Sequence, residues 1–244
     1  MISNAEIKRV KALQSKKFRD ESGLFVVEGE KMVAEALESG LQVEAVYRRD
    51  EIGEQAMARI SSLNSPSPVL AVVRQAAAPD IDEIRSFVRS CGRDMLAIAL
   101  DEIRDPGNLG TIIRLADWYG IDAVFCSAGT VELYNPKVVQ STMGAIFRKK
   151  VIYCDLNNIF DIFASNGLPI YGTFLEGEDI YRSDLSSGGL IVMGNEANGI
   201  SPELRSRISA KLFIPPYPGN RKTAESLNVA IATAITVSEF RRRR

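Results

Sequence analysis

The sequence predicts an α/β protein of two domains, and three observations carry that reading. Short apolar runs alternate with longer stretches of helical periodicity along the whole chain, which is the pattern of strands joined by helices. The run MLAIAL at 95–100 is apolar throughout, as expected of a strand covered on both faces. The series before it already has its own strands and helices by residue 91. The boundary is therefore placed near 91–94, between a small α/β domain at 1–93 and a larger one at 94–244 with a mostly parallel sheet. The segment AAAPD at 76–80 is the other candidate linker.

The first helix opens at Ser3, where Glu6 three residues on completes a capping box. LFVV at 24–27 reads as a strand, 28–39 as a helix stopped by Gly40, VEAVY at 43–47 as a strand and 51–62 as a helix. PVLAVV at 68–73 is a strand and 81–91 a helix. In the second domain the strand at 95–100 leads into a helix at 109–119, the strand DAVFC at 122–126 and a helix that Pro136 opens and that runs to about 143. VIY at 151–153 and a helix at 156–165 follow. PIYGTFL at 169–175, LIVM at 190–193 and KLFI at 211–214 are the remaining strands, and SPELRSRI at 201–208 is a helix with Ser at its cap and Pro at its first position. The last helix starts near Ser226. From Leu227 it is apolar nearly all round, which predicts burial.

Composition removes several function classes. A chain of 244 residues with 45% hydrophobic content is a soluble globular protein. No apolar run approaches the ~20 residues of a membrane helix, and MISNAEIKRVKALQSKK lacks the apolar core and cleavage site of a secretory signal. Cys91, Cys126 and Cys154 are odd in number and widely separated, which argues against a disulfide framework or a zinc site and for a reducing cytoplasm. Histidine is absent, so there is no Ser-His-Asp or Cys-His nucleophile, histidine base or histidine metal ligand. The net charge of -1 does not announce a nucleic-acid binder, but Lys8, Arg9, Lys11, Lys16, Lys17 and Arg19 crowd near the start and Arg241 to Arg244 close the chain. Such clusters neutralise phosphates; a solvated helix face and a frayed tail are the alternatives.

Three loops concentrate the chemistry. LFIPPYPGNRKTAESLNVAIATAITVSEF at 212–240 joins a strand, a loop broken by glycine and proline, and the last helix. Ser226 and Asn228 stand at the start of that helix, where hydroxyl and amide groups cap it or face a ligand. DEIRDPGNLGTIIRLADWYG at 101–120 and LIVMGNEANGIS at 190–201 have the same character. Neither a G-x-G-x-x-G after a strand nor a P-loop occurs, so NAD and nucleoside triphosphate sites are not indicated. GNEANG alone is a turn. At the carboxyl end of an apolar strand, it stands where α/β sheets bind ligands.

Together these loops resemble the three signature motifs of the SpoU family of the SPOUT superfamily, also called the TrmH-like RNA ribose 2'-O-methyltransferases. Asn108 with Arg114 matches the first motif, residues 194–199 the second, and Ile214-Pro215 with Ser226-Leu227-Asn228 the third. The likeness spans 95–244, and FVVEGEKMVAEAL at 25–37 resembles the small substrate-binding domain that often precedes it. It implies a C-terminal SPOUT domain with a parallel sheet and a deep trefoil knot over about 190–239. Before it would come an L30e-like domain that selects structured RNA, ribosomal RNA first and transfer RNA second. It further implies a homodimer formed through the knotted region, S-adenosylmethionine as cofactor, no metal and a cytoplasmic enzyme. A non-catalytic RNA-binding or assembly protein with a relict methyltransferase fold is the alternative.

Carried over residue by residue, the likeness assigns Gly194, Ile214 and Leu227 to S-adenosylmethionine, mainly through backbone, with Thr173, Glu196 and Gly199 nearby. Core packing is the plain reading of Ile214 and Leu227. Arg114 is assigned as the catalytic residue that binds the target phosphate; as an ordinary helix-face arginine it would pair with Asp117 or Asp101. A base role would require a guanidinium, with a pKa above ~12, to lose its proton, so an electrostatic role that lowers the cost of forming the alkoxide is the better founded. Glu196 is expected to orient Arg114 or Asn108 or, failing that, to act as base, while Asn108, Ser226 and Asn228 position the ribose hydroxyl. The loop at 215–225 is longer than is usual in the family and carries Arg221 and Lys222, assigned to RNA contact. Met143-Gly144-Ala145 is expected beside the active site, with Arg148, Lys149 and Lys150 facing phosphate or, as plain surface cations, solvent.

Overall fold

Two β-sheets divide the secondary structure of the computed structural model, which describes residues 2–218 and 224–242. The expectations placed on Arg221, Lys222, Arg243 and Arg244 lie outside the described residues. In chain order the elements are α1 (Asn4–Ala12), α2 (Lys16–Ser22), β1 (Leu24–Glu28), α3 (Glu30–Glu38), β2 (Val43–Arg48), α4 (Arg49–Ile52), α5 (Glu54–Ile60), β3 (Val69–Arg74) and α6 (Ile81–Cys91). Then come β4 (Leu96–Leu100), α7 (Pro106–Trp118), β5 (Ala123–Cys126), α8 (Pro136–Thr142), β6 (Lys150–Tyr153), α9 (Leu156–Ser165), β7 (Ile170–Phe174) and β8 (Glu178–Asp179). The chain finishes with β9 (Gly189–Met193), α10 (Pro202–Arg205), β10 (Ala210–Phe213) and α11 (Val229–Arg242).

The chain forms two units, Met1–Ala77 with Glu132–Arg148, and Ala78–Val131 with Lys149–Arg244. In the first, β1, β3 and β2 make an antiparallel sheet in that order. Ile7 and Val10 of α1 and Met57 and Ile60 of α5 pack with Val26, Leu70 and Val72 of the sheet. Ser3 caps α1 by accepting the Glu6 N–H at 3.1 Å. The Glu6 side chain does not return the bond; it pairs with Arg9 and takes the Tyr47 hydroxyl. The expected helix at 51–62 is two helices, α4 and α5, meeting at Gly53.

The segment 132–148, which arises between β5 and β6, belongs with this first unit, and α8 packs on β1. Gly144 shows why its sequence is constrained: its φ is +92°, and a Cβ there would stand 1.8 Å from Glu35 Oε2. Arg148 pairs with the same Glu35. Arg148 therefore has a carboxylate of α3 beside it, while its side chain stays 45% exposed.

Most cations of the N-terminal basic cluster also have carboxylates beside them. Arg9 pairs with Glu6 and Glu44, Lys16 with Asp20 and Lys17 with Glu21. Arg19 is only 2% exposed. Its guanidinium forks onto Glu132 at 2.8 and 2.6 Å and donates to the Leu13 carbonyl at 2.7 Å. Lys8 and Lys11 remain without an ion pair among the described residues.

The second unit holds a seven-stranded sheet in the order β6-β5-β4-β9-β7-β10-β8, parallel at every pairing. Its strands β4, β5 and β9 are wholly buried, as covered parallel strands must be. α6 contributes Ile84 and Val88, and α9 Ile159, Phe160 and Phe163, to the core on one face. An Asp80–Glu83 capping box starts α6. Lys149 pairs with Asp117 at 3.8 Å, and Lys150 lies over the Phe87 ring at 5.0 Å. Both therefore have partners within the unit. The terminal Arg241 donates to the Tyr119 and Gly120 carbonyls at 2.8 and 2.6 Å, closing the end of α7, and Arg242 pairs with Glu239.

Two helices end differently from expectation. The helix expected at 201–208 stops at Arg205, and Arg207 beyond it donates to Asn157 and pairs with Asp161. α11 begins at Val229 rather than near Ser226, because Asn228 is its cap: the Asn228 Oδ1 accepts the N–H groups of Ala230 and Ile231 at 2.9 and 3.3 Å. This helix is not buried all round, either. Val229, Ala230, Thr233, Val237 and Phe240 face the interior, while Ile231 is 53% exposed and Ala234, Ile235 and Ser238 are half-buried beside it.

Candidate functional site

Three loops of the second unit leave the carboxyl ends of adjacent parallel strands. β9 ends at Met193 and enters residues 194–199, β7 ends at Phe174 just past Thr173, and β10 ends at Phe213 just before Ile214. The first loop closes on itself. Asn195 and Gly199 exchange backbone hydrogen bonds at 3.0 and 2.9 Å, and the Asn195 side-chain oxygen accepts the N–H groups of Ala197 and Asn198. Gly194 stands where the two arms meet: a Cβ there would lie 2.2 Å from the Gly199 carbonyl carbon and 2.3 Å from the Ile200 nitrogen. Any side chain at 194 would force the loop open.

Side chains then tie the loops together. The amide of Asn108, in the first turn of α7, donates to Glu196 Oε1 at 2.9 Å, and its oxygen accepts the Asn228 amide at 3.0 Å. Asn228 spends its own oxygen on the start of α11. One unbroken chain of hydrogen bonds therefore runs Glu196, Asn108, Asn228, α11, and it joins the segments that follow β9, β4 and β10. Asp105 holds Asn108 from the other side, accepting its N–H at 2.8 Å as the cap of α7. Two residues outside the expected set add to this lashing. Asn195 donates to the Glu102 carbonyl at 2.8 Å, and Asp101 accepts the Ser201 N–H at 2.7 Å. Glu102 carries a positive φ of 57°, a conformation that costs a non-glycine residue about 1 kcal/mol or more and persists only when its surroundings impose it.

Of the expected residues, Asn108, Glu196 and Asn228 are brought into contact. Arg114 is not part of that chain. It lies six residues beyond Asn108, roughly 9 Å along the helix and turned about 120° from it. It is exposed, and it makes no ion pair or hydrogen bond among the described residues. The pairing with Asp117 or Asp101 does not form, because Asp117 takes Lys149 and Asp101 takes Ser201. Ser226 and Leu227 precede α11 in a segment without regular secondary structure, with Leu227 50% exposed. Thr173 donates to the Val192 carbonyl at 3.3 Å, and Ile214 is half-buried.

The backbone groups of Ile214 and Leu227 are not drawn into hydrogen bonds among the described residues. The two side chains are at the same time incompletely covered. Free main-chain groups beside uncovered apolar side chains fit a ligand that pairs an apolar body with a heterocycle read by backbone donors and acceptors. The thiols do not compete for a chemical role. Burial pushes the Cys126 thiol far up and, with Asp155 nearby, Cys154 up to about 12, so neither is a thiolate nucleophile near neutrality.

The model of the SpoU rRNA methylase family matches residues 95–238. The chain belongs to the SpoU rRNA methylase family. The model of the MRM3-like substrate binding domain matches residues 4–77, which is the N-terminal part of the first unit. Among curated relatives, the Bacillus subtilis 23S rRNA (guanosine(2553)-2'-O)-methyltransferase RlmP is 31% identical over 98% of this chain and 96% of its own. Among solved structures, an AdoMet-bound rRNA methyltransferase from Sinorhizobium meliloti superposes with a TM-score of 0.86 at 30% identity, covering 100% of this chain and 96% of that one. The SpoU methyltransferase AviRb from Streptomyces viridochromogenes, in complex with AdoMet, gives 0.84 at 25% identity over 99% and 98%. The SpoU motifs are the three loops that the Asn108 chain joins.

Proposed function

We propose that the protein is an RNA ribose 2'-O-methyltransferase that uses S-adenosylmethionine and acts on ribosomal RNA. The observation that carries this reading is the Asn108 amide, which joins Glu196 of one motif loop to Asn228 of another at the carboxyl edge of the parallel sheet. Family membership and relatives named as 23S rRNA 2'-O-methyltransferases support it. Transfer RNA is the second substrate class. Residues 94–244 are assigned to catalysis and residues 1–93 to selecting the RNA.

Gly194, Ile214 and Leu227 hold S-adenosylmethionine through their backbone groups, with Thr173, Glu196 and Gly199 around it. When bound, the cofactor supplies a methyl group activated by a sulfonium. Arg114, without a partner among the described residues, binds the target phosphate and stabilises the charge that develops on the ribose 2'-oxygen. Asn108, Ser226 and Asn228 orient the hydroxyl, and Glu196 keeps the Asn108 amide turned toward it. Isothermal titration with S-adenosylmethionine tests the cofactor assignment: saturable binding is expected, and its absence would refute it.

Asn108→Asp sharpens the test of the hydrogen-bond chain. It keeps the shape but sets a carboxylate against Glu196, so a bond becomes a repulsion. Turnover is expected to fall by roughly one to two orders of magnitude, a loss of about 1–3 kcal/mol for unpairing charged groups. Asn108→Ala, which breaks the bond without adding a charge, should lose less turnover than Asn108→Asp, and equal losses would contradict the arrangement.

The same reading includes a trefoil knot threading residues 190–239, a homodimer through that region and a cytoplasmic location. The dimer is supported by the packed pair α7 and α11, which leaves Trp118 83% exposed with Leu227 and Ile231 also uncovered. Exposed apolar groups of this size mark association surfaces. Sedimentation equilibrium is expected to give twice 26.8 kDa for the native chain and a monomer for Trp118→Glu with Ile231→Glu. A native monomer would remove the dimer from the account.

A further inference from the structure

The carboxyl edge of the parallel sheet carries a further cavity beside the proposed cofactor loops, with Asp101 and Ser201 on its wall. It lies on the other half of the edge, where β4, β5 and β6 end, and its volume is about 450 Å3. That is within the ~300–1,000 Å3 span of small-molecule sites. Asp101, Tyr153, Asp155, Leu156, Glu203 and Leu204 are among the residues that line it.

Its chemistry is one-sided. No lysine or arginine lines it, so it is not built for a phosphate. Asp101 is 5% exposed; its Oδ2 accepts the Ser201 N–H, and its Oδ1 has no hydrogen-bond partner among the described residues. That oxygen is open to the cavity, where it can accept a donor. Asp155 and Glu203 each use one oxygen on Asn157, at 2.9 Å in both cases, and keep the other for a ligand. The walls are apolar and aromatic. Leu156 and Leu204 are buried, and the Tyr153 ring is fixed by its hydroxyl, which donates to the Val131 carbonyl.

A planar group with N–H donors at its edge fits aromatic and aliphatic walls with carboxylates on the rim. We propose that this cavity receives a nucleobase of the RNA substrate and reads it through its N–H donors. Guanine is the best match, because N1–H and the N2 amine give it three N–H donors, more than any other base, for the one oxygen that each carboxylate keeps free. Unstacked bases of RNA loops enter such pockets, stacked on aromatic rings and hydrogen-bonded along their pairing edges. The inference rests on the proposed function for the source of the base, and the base itself is what it adds.

The probe is guanosine, which lacks phosphate, titrated into the full chain with the methyl signals of Leu156 and Leu204 followed by NMR. Guanosine should shift both signals saturably, and inosine, without the N2 amine, should bind at least tenfold more weakly. Asp101→Asn turns its amide oxygen to Ser201 and an N–H into the cavity, setting donor against donor; Glu203→Gln removes a rim acceptor at a site that leaves the core untouched. Each should weaken guanosine at least tenfold, and Glu203→Gln, which lies outside the cofactor loops, should leave S-adenosylmethionine binding as in the native chain. Unshifted signals, equal responses to guanosine and inosine, or full affinity in both variants would overturn the proposal. Native protein that methylates ribosomal RNA yet ignores guanosine would sink this inference alone. Guanosine shifts in a protein that never methylates RNA would sink the reading of function instead.

Discussion

Arg114→Ala should bind S-adenosylmethionine and RNA but lose turnover by about two to three orders of magnitude, the usual loss when one preorganised electrostatic group is removed from a transition state. The basis is its isolation. Most arginines of the second unit are engaged within it, as when Arg207 holds Asp161, Arg205 pairs with Glu176 and Arg241 closes α7. Arg114 has no such partner among the described residues, so its removal costs the fold little, and its effect must appear in what it does to a ligand. If it acts electrostatically, Arg114→Lys should recover part of the rate, with charge restored and the planar fork missing. Single-turnover rates at saturating RNA separate this from weaker binding. A loss confined to RNA affinity, with the single-turnover rate intact, would reduce Arg114 to a binding residue.

Arg19→Met should lower the stability of the first unit by about 3–5 kcal/mol, as removal of one partner from a buried ion pair does. Its guanidinium is the most enclosed cation of that unit, and the fork to Glu132 joins α2 to the segment 132–148. Met fills much of the stem volume, so the loss measures chiefly the stranded Glu132 carboxylate and the Leu13 carbonyl. Arg19→Met with Glu132→Met should be milder than Arg19→Met alone, because no buried charge is left unpaired. Urea unfolding followed by far-UV circular dichroism reads both. Equal losses in the single and double variants would show that Glu132 is solvated without Arg19.

The alternation of strands and helices was legible because covered parallel strands are apolar throughout, as β4 and β9 are. The two-residue β8 is too short for any periodicity, and it exists only by pairing with β10. Charge patterning does not reveal the partners of Arg19 and Arg148. A run of cations looks like a surface until the carboxylates that neutralise it, Glu132 and Glu35, are brought in from 113 residues away. The same limit applies at the site. Asn108, Glu196 and Asn228 stand in motifs, so their meeting could be anticipated. Asn195 and Asp101 act through partners 93 and 100 residues distant, and no local signal marks them. The sequence predicts the start of α11 near Ser226, three residues early, because serine and asparagine both cap helices. The choice of Asn228 depends on its amide being held by Asn108.

The most direct measurement is methyl transfer itself. Purified chain is incubated with isotopically labelled S-adenosylmethionine and ribosomal RNA lacking the modification, and the RNA is then digested to nucleosides for mass spectrometry. The account predicts label on a ribose 2'-oxygen at one nucleotide, lost with Arg114→Ala. A chain that binds both S-adenosylmethionine and ribosomal RNA but leaves the RNA unlabelled would contradict it and favour a non-catalytic RNA-binding protein.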